Sequence, residues 1–275
     1  MEHVVKWFEA LDFPQEIKQD FYDELGKRKI DFPIRMSVDE LMEKKDYLLN
    51  LVYCLSECDN TQKRFKDKGL PESSFWGNVG EIVLEAVQTR KNFGVVGIDD
   101  VKWVDMFLQC KKHFRIGCLN FDMEIAGEHE CEGDPIKEDD PVVLVHIPSD
   151  TRLDRESCEQ AFKDAEDFLA AYFPEFSYKC FVCGSWLLDD GLKAFLKEDS
   201  NILGFQSFFT PYKKIENRAL LRFLFSRTVT MENISKFEAK SSLQKKLQEH
   251  IVSGGRTYEG FGFRGRQYHT AKQTG

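Results

Sequence analysis

Lys179-Cys180-Phe181-Val182-Cys183-Gly184-Ser185-Trp186-Leu187-Leu188-Asp189 is the stretch that decides the fold. Its apolar start reads as a strand over residues 178–186. Residues three apart on a strand point to opposite faces, so Cys180 and Cys183 cannot share one metal ion, and this CxxC reads as core packing. Upstream, Pro141 precedes a second short apolar run, Val142-Val143-Leu144-Val145-His146-Ile147, of the kind a buried strand carries. Between the two, Asp154 is placed to cap a helix with a wide apolar face of Cys158, Ala161, Phe162, Ala165, Phe168, Leu169 and Tyr172, and Pro174 marks its end.

Working outward, residues 116–125 alternate as a strand and run into the acidic turn Gly127-Glu128-His129-Glu130-Cys131-Glu132-Gly133-Asp134. Downstream come a short amphipathic helix through Leu192, Phe195 and Leu196, strand-like stretches at 202–212 and 220–227, and a last helix over 241–252. The order strand, strand, helix, strand, helix, strand, strand suits a mixed sheet covered by helices. Residues 260–265 match GxGxxG, but no helix follows them, so they read as a glycine-rich terminal strand or loop.

Before residue 113 the apolar period is helical throughout. Pro14 opens a segment running to about Arg28. Ser37 and Glu40 form a capping box, and the helix behind it sets Leu41, Leu48, Val52 and Leu55 on one stripe. Pro71 starts another helix with Trp76, Val79, Val83 and Val87 at spacings of three and four, and Asp99 is placed to cap a further one. The expected class is therefore α+β, or mixed α/β, in two domains: a helical bundle over 1–112 and a sheet domain over 113–275.

Composition narrows the function. The chain has 275 residues and a net charge of −9, which disfavours a polyanion partner because binding one needs a basic face that releases counterions. No apolar run approaches the length of a membrane span, and the N-terminus lacks the apolar core of a signal peptide, so a cytoplasmic, non-membrane protein is expected. Eight cysteines outside a secretory context are expected as reduced thiols. The 24 Phe require deep packing partners or a groove. No GxSxG, HExxH or P-loop pattern is present. The acidic turn at 128–134 has metal-ligand residue types but reads as a solvated hairpin turn, so no metal is expected.

Several anchors together carry a family resemblance: Phe114-Arg115-Ile116-Gly117, His146-Ile147-Pro148, the stretch 179–189, Ser200-Asn201-Ile202-Leu203-Gly204-Phe205-Gln206, Ser242-Leu243-Gln244 and Gly254-Gly255. The chain resembles a bacterial family of acyltransferase-domain proteins with a helical N-acyltransferase N-terminal domain and a GNAT-like C-terminal domain. The resemblance implies acetyl-CoA or another acyl-CoA as co-substrate and a small amine or peptide as acceptor; it leaves the oligomeric state open. In such enzymes the cofactor pyrophosphate lies on the amides that open the helix after the central strand. The corresponding loop, Ser149-Asp150-Thr151-Arg152-Leu153-Asp154-Arg155-Glu156, contains no glycine, and its acids outnumber its arginines. Ser149, Thr151, Arg152 and Arg155 are the candidate cofactor contacts.

Acyl transfer to an amine needs a base for the amine proton, donors for the oxyanion and an acid for the leaving thiolate. His146, interrupting an apolar strand near its end, is the candidate base. Ser185 and Asp189 are the other catalytic candidates, Asp189 to orient a polar partner, although an Asp just after a strand is more often a helix cap. Trp186, Asn201 and Gln206 are candidate substrate contacts, and Cys183 shares its strand face with Ser185. The alternative is a catalytically silent ligand-binding or regulatory protein that kept the fold after losing the phosphate loop.

Overall fold

Capping decides where the N-terminal helices begin. The computed structural model describes residues 1–127 and 135–266. Six helices fill its first part: α1 (Glu2–Ala10), α2 (Gln15–Lys27), α3 (Val38–Lys44), α4 (Tyr47–Asp67), α5 (Glu72–Phe93) and α6 (Val101–Leu108). No strand precedes His113, as the helical period requires. The Ser37–Glu40 capping box forms and opens α3. The helix expected behind it is two helices. Lys45 turns left-handed (φ 52°), and the Asp46 carboxylate caps α4 by accepting from the Leu49 amide at 3.2 Å. The cap of α6 is Asp100 rather than Asp99. The buried face of α5 is Phe75, Val79, Ile82 and Ala86, with Trp76 41% exposed, so the expected stripe is displaced by a fraction of a turn.

The chain divides into two compact units, Met1–Arg115 and Ile116–Gly275. Within the first, Phe8 stacks on Phe13 and Phe21 at 4.4 and 3.8 Å between ring centroids. Asn78 is fully buried and satisfied, donating to the Phe107 and His113 carbonyls and accepting from the Arg115 amide.

The remaining elements are β1 (His113–Ile116), β2 (Leu119–Ile125), β3 (Pro141–His146), α7 (Arg155–Tyr172), β4 (Cys180–Ser185), α8 (Asn201–Gln206), β5 (Thr210–Glu216), α9 (Ser242–Val252) and β6 (Tyr258–Gly265). They include a six-stranded sheet of order β1-β2-β3-β4-β6-β5. β3 and β4 are parallel with α7 between them in sequence, and β2–β3, β4–β6 and β5–β6 are antiparallel. The mixed sheet covered by helices is the expected class. One face of β4 sends Cys180 and Val182 into a cluster with Ala126, Ile136 and Val142. The other sends Phe181 against Phe121 and Phe162 at 5.7 and 5.3 Å. Cys180 and Cys183 thus point to opposite faces. Elemental analysis of the purified protein is expected to show no zinc held by this CxxC; loss of a stoichiometric zinc on replacing Cys180 and Cys183 by Ala would overturn that reading.

Three expectations are corrected. The single strand at 116–125 begins only at Leu119, because Gly117 (φ 60°) and Cys118 turn the chain between β1 and β2. The strand-like stretch at 202–212 is α8 followed by β5: Ser200 caps the helix by accepting from the Ile202 amide, a local signal that outweighs the apolar run. The stretch at 220–227 is a π-helical turn, Leu221–Phe225, burying Leu221 and Phe225 while Phe223 stays 61% exposed. The acidic turn at 128–134 lies outside the described residues.

The glycine-rich end is a strand, and it is inserted between β4 and β5. Two of its glycines, Gly260 and Gly262, answer to close approach. A Cβ on Gly260 would stand 2.3 Å from the Leu188 carbonyl oxygen, and one on Gly262 2.6 Å from Phe209 Cβ. Gly260→Ala is therefore expected to destabilise the fold by about 1–3 kcal/mol in chemical denaturation, the usual cost of overpacking. A change below the error of the measurement would show that β6 can shift to make room.

Candidate active site

The parallel pair β3 and β4 is joined only through Val143↔Phe181 and Leu144↔Val182. Beyond that point each strand stays paired on its outer side, β3 to β2 as far as His146↔Asn120 and β4 to β6 as far as Ser185↔Gly260. The last residues of the two strands therefore run on without bonding to each other. This is the end of the sheet where ligands of open α/β sheets collect. His146 ends β3 and Ser185 ends β4, but alternation puts His146 on the face of Val142 and Cys180 and Ser185 on the opposite face with Phe181 and Cys183, so the strand ends do not bring the two to one face.

His146 is half-buried. Ser185 Oγ accepts from the Leu187 amide at 3.2 Å and caps a 3-10 turn over Trp186–Leu188, in which Trp186 is buried. Asp189 is buried too, and it does cap: its carboxylate accepts from the Gly191 amide and pairs with Lys214 Nζ at 2.7 Å. Burial pulls the Lys214 pKa down, but hydrogen bonds to Asp189 and Asp190 outweigh it and hold the ammonium above its ordinary value. Asp189 is thereby committed to holding β5 against the segment that follows β4. Gln206 is committed as well, its amide donating to the Leu187 and Asp189 carbonyls at 2.8 and 3.0 Å. Cys183 is fully buried, and burial drives its thiol far above the ordinary range, so it is no nucleophile near neutral pH.

The candidate cofactor loop lies between β3 and α7. Leu153 takes a left-handed conformation (φ 58°), and Asp154 caps α7 by accepting from the Ser157 amide at 2.9 Å. That bond holds the Asp154 carboxyl below its ordinary range, so a negative charge sits at the positive end of the helix. The Thr151 hydroxyl donates to the Cys118 carbonyl at 2.6 Å. Asn201 donates to the Arg152 carbonyl at 2.9 Å and so braces the loop. Ser149, Arg152 and Arg155 are exposed. Arg155 reaches Ser207 Oγ at 3.3 Å and stacks on the Phe208 ring at 5.3 Å.

Two neighbours of Arg155 had no sequence signal. Phe208 takes Arg155 and also Arg264, whose guanidinium lies 5.2 Å from its centroid and 4.6 Å from that of Phe162. Burial lowers the Arg264 pKa; the Glu166 and Glu159 carboxylates oppose that, and Arg155 adds to it. Arg264 is on β6, more than a hundred residues from Arg155, and only the insertion of that strand beside β4 brings the two together.

The family described as GNAT-like C-terminal domain matches residues 113–264, and the chain belongs to it. No curated protein matches the chain. Three solved structures share its fold. One, an acyltransferase in complex with decanoyl-CoA, is 21% identical with a TM-score of 0.69, over 91% of this chain and 74% of that one. Another, an acyltransferase in complex with decanoyl-CoA and teicoplanin, is 18% identical with a TM-score of 0.76, over 96% and 88%. The third is an acyltransferase mutant in complex with octanoyl-CoA, 17% identical with a TM-score of 0.77, over 96% and 88%. Among the described residues no helix is long and apolar enough to cross a membrane.

Proposed function

We propose that this chain is an acyl-CoA-dependent N-acyltransferase that acts in the cytoplasm on an amine of a small molecule or peptide. The observation that carries the reading is the end of β3–β4 pairing at Leu144↔Val182, directly before the loop that opens α7. It leaves backbone donors and acceptors for an extended, amide-bearing ligand such as a pantetheine arm, with α7 beyond them for the phosphates. The complexes of the similar solved structures with octanoyl-CoA and decanoyl-CoA support a medium-chain acyl group.

In this reading the amine attacks the thioester carbonyl while His146 takes its proton. The C–N bond forms as the C–S bond breaks, and the thiolate leaves with a proton. Ser185, whose oxygen accepts from the Leu187 amide at the end of β4, is the candidate donor of that proton, from the face of the sheet opposite His146. Trp186, buried at the same strand end, would line the acceptor side. Asp189, Thr151, Asn201 and Gln206 support the site rather than touch substrate.

Arg152 and Arg155 supply the phosphate contacts, as charge-assisted hydrogen bonds worth about 1.5–3 kcal/mol each. Replacing both with Ala is therefore expected to weaken acyl-CoA binding by at least about tenfold in calorimetry. The fold should be retained, because both side chains are exposed. Binding unchanged by the double replacement would remove these arginines from the site.

One observation favours the second reading, a silent ligand-binding protein: the Asp154 carboxylate already occupies the α7 amides on which a phosphate would lie. Titration with octanoyl-CoA, decanoyl-CoA and acetyl-CoA decides between them. Absence of binding by all three would sink the enzyme reading.

A further inference from the structure

We propose that Cys118 and Cys158 form a redox modification site, a dithiol that hydrogen peroxide or a small-molecule disulfide converts to an intrachain disulfide. The two thiols come from separate elements. Cys118 is in the turn between β1 and β2, and Cys158 is in the first turns of α7. The Cys158 thiol is hydrogen-bonded to that of Cys118, and this contact, followed by burial, pushes its pKa far above the ordinary thiol range. Two further contacts hold the pieces together. The Thr151 hydroxyl donates to the Cys118 carbonyl at 2.6 Å. A Cβ on Gly117 would meet the Ala161 Cβ at 3.2 Å, one turn along α7 from Cys158.

The other described thiols differ. Cys54, Cys58, Cys110, Cys180 and Cys183 are all buried, whereas Cys118 is half-exposed. An oxidant thus has an entry at Cys118 and a resolving thiol in hydrogen-bond contact behind it. The Cys118 sulfur attacks one peroxide oxygen, the O–O bond breaks, and a sulfenic acid and one water form. Oxidation of Cys118 removes the thiol contact that raises the Cys158 pKa most, a contact without counterpart at Cys183. The Cys158 sulfur then attacks the Cys118 sulfur and expels the second water, its proton leaving with the departing hydroxide. Two electrons pass from the sulfur pair to the peroxide. With a small-molecule disulfide as oxidant, exchange through a mixed disulfide gives the same bridge and two small thiols.

Resting on the acyltransferase reading, the bridge has a consequence for the cofactor. It ties the turn that Thr151 already grips to the start of α7, which directly follows the loop at 149–154. A loop fixed before binding loses less freedom on binding, so the oxidised protein should take acyl-CoA more tightly.

The test is oxidation of the folded full chain with hydrogen peroxide, in parallel with oxidised glutathione, followed by intact mass measurement and non-reducing peptide mapping. The expected result is a mass loss equal to two hydrogen atoms, one linked peptide pair carrying Cys118 and Cys158, and reversal by dithiothreitol. Closing this loop of about 40 residues should raise the melting temperature by roughly 5–10 °C. Cys118→Ser and Cys158→Ala should each abolish the mass loss and the thermal shift. Sulfinic acid at Cys118 with Cys158 unmodified, or a bridge elsewhere, would overturn the proposal. A Cys118–Cys158 bridge with unchanged acyl-CoA affinity would overturn its link to the cofactor. Failure of both redox forms to bind acyl-CoA, with the bridge mapped as expected, would count against the acyltransferase reading and leave the modification site standing.

Discussion

His146→Ala should lower kcat by about a hundredfold or more, the size of effect a general base supplies, while acyl-CoA affinity stays the same. The argument is positional. His146 is the last residue of β3, opposite Asn120 on one side and past the end of pairing with β4 on the other. Its imidazole is the one type of side chain among the candidates at this strand end that can accept an amine proton near neutrality. Ser185 can give a proton there but accepts poorly as a neutral hydroxyl. The Asp189 carboxylate is already ion-paired with Lys214. A base that acts only as the amine attacks contributes to the transition state and not to cofactor binding. The split between kcat and affinity is therefore the diagnostic readout. Equal loss of both, with the melting temperature lowered, would mark His146 as a packing residue. Retained turnover would move the base elsewhere.

Phe162→Ala is expected to cost about 3–5 kcal/mol of stability, the largest effect of any single truncation proposed for this chain. Phe162 is 1% exposed. Its ring meets Phe121, Phe181, Phe208 and Phe209 with centroids 5.3–5.9 Å away, and Arg264 stacks on it at 4.6 Å. It is the point where α7, β2, β4 and the segment after α8 converge. Truncation leaves a cavity that four aromatic rings cannot collapse to fill, because each is held by its own backbone. Thermal unfolding should shift down by roughly 6 °C or more. A shift under about 2 °C would mean that the Phe208–Phe209 segment moves in to close the gap.

Much of this protein was legible from its residues in order. Local signals carry far in both units. The Ser37–Glu40 box, Pro71 before α5 and Asp154 before α7 each act within one helical turn of themselves. The two apolar runs around α7 were enough to place β3 and β4, and period two alone put Cys180 and Cys183 on opposite faces. Where the sequence misled, a local signal at the edge of the run outweighed its apolar pattern. The apolar stretch 202–212 has strand-like composition, yet the Ser200 cap and the burial of Phe205 make its first half a helix. Gly117 divides one alternating run because its left-handed backbone turns the chain there.

Which residues gather at the strand ends was decided by tertiary structure. No spacing reveals that β6 enters between β4 and β5, and that entry sets Arg264 beside Phe208 and makes Gly260 obligatory beneath Leu188. The same holds for Asp189 and Gln206, polar residues whose type suits a site but whose partners, Lys214 and two backbone carbonyls, are met only on folding. The physical reason is range. Helix caps and strand alternation are short-range and repeat along the chain, so sequence order encodes them. A hydrogen bond or stacking contact between residues dozens of positions apart is encoded only in the packing that brings them together.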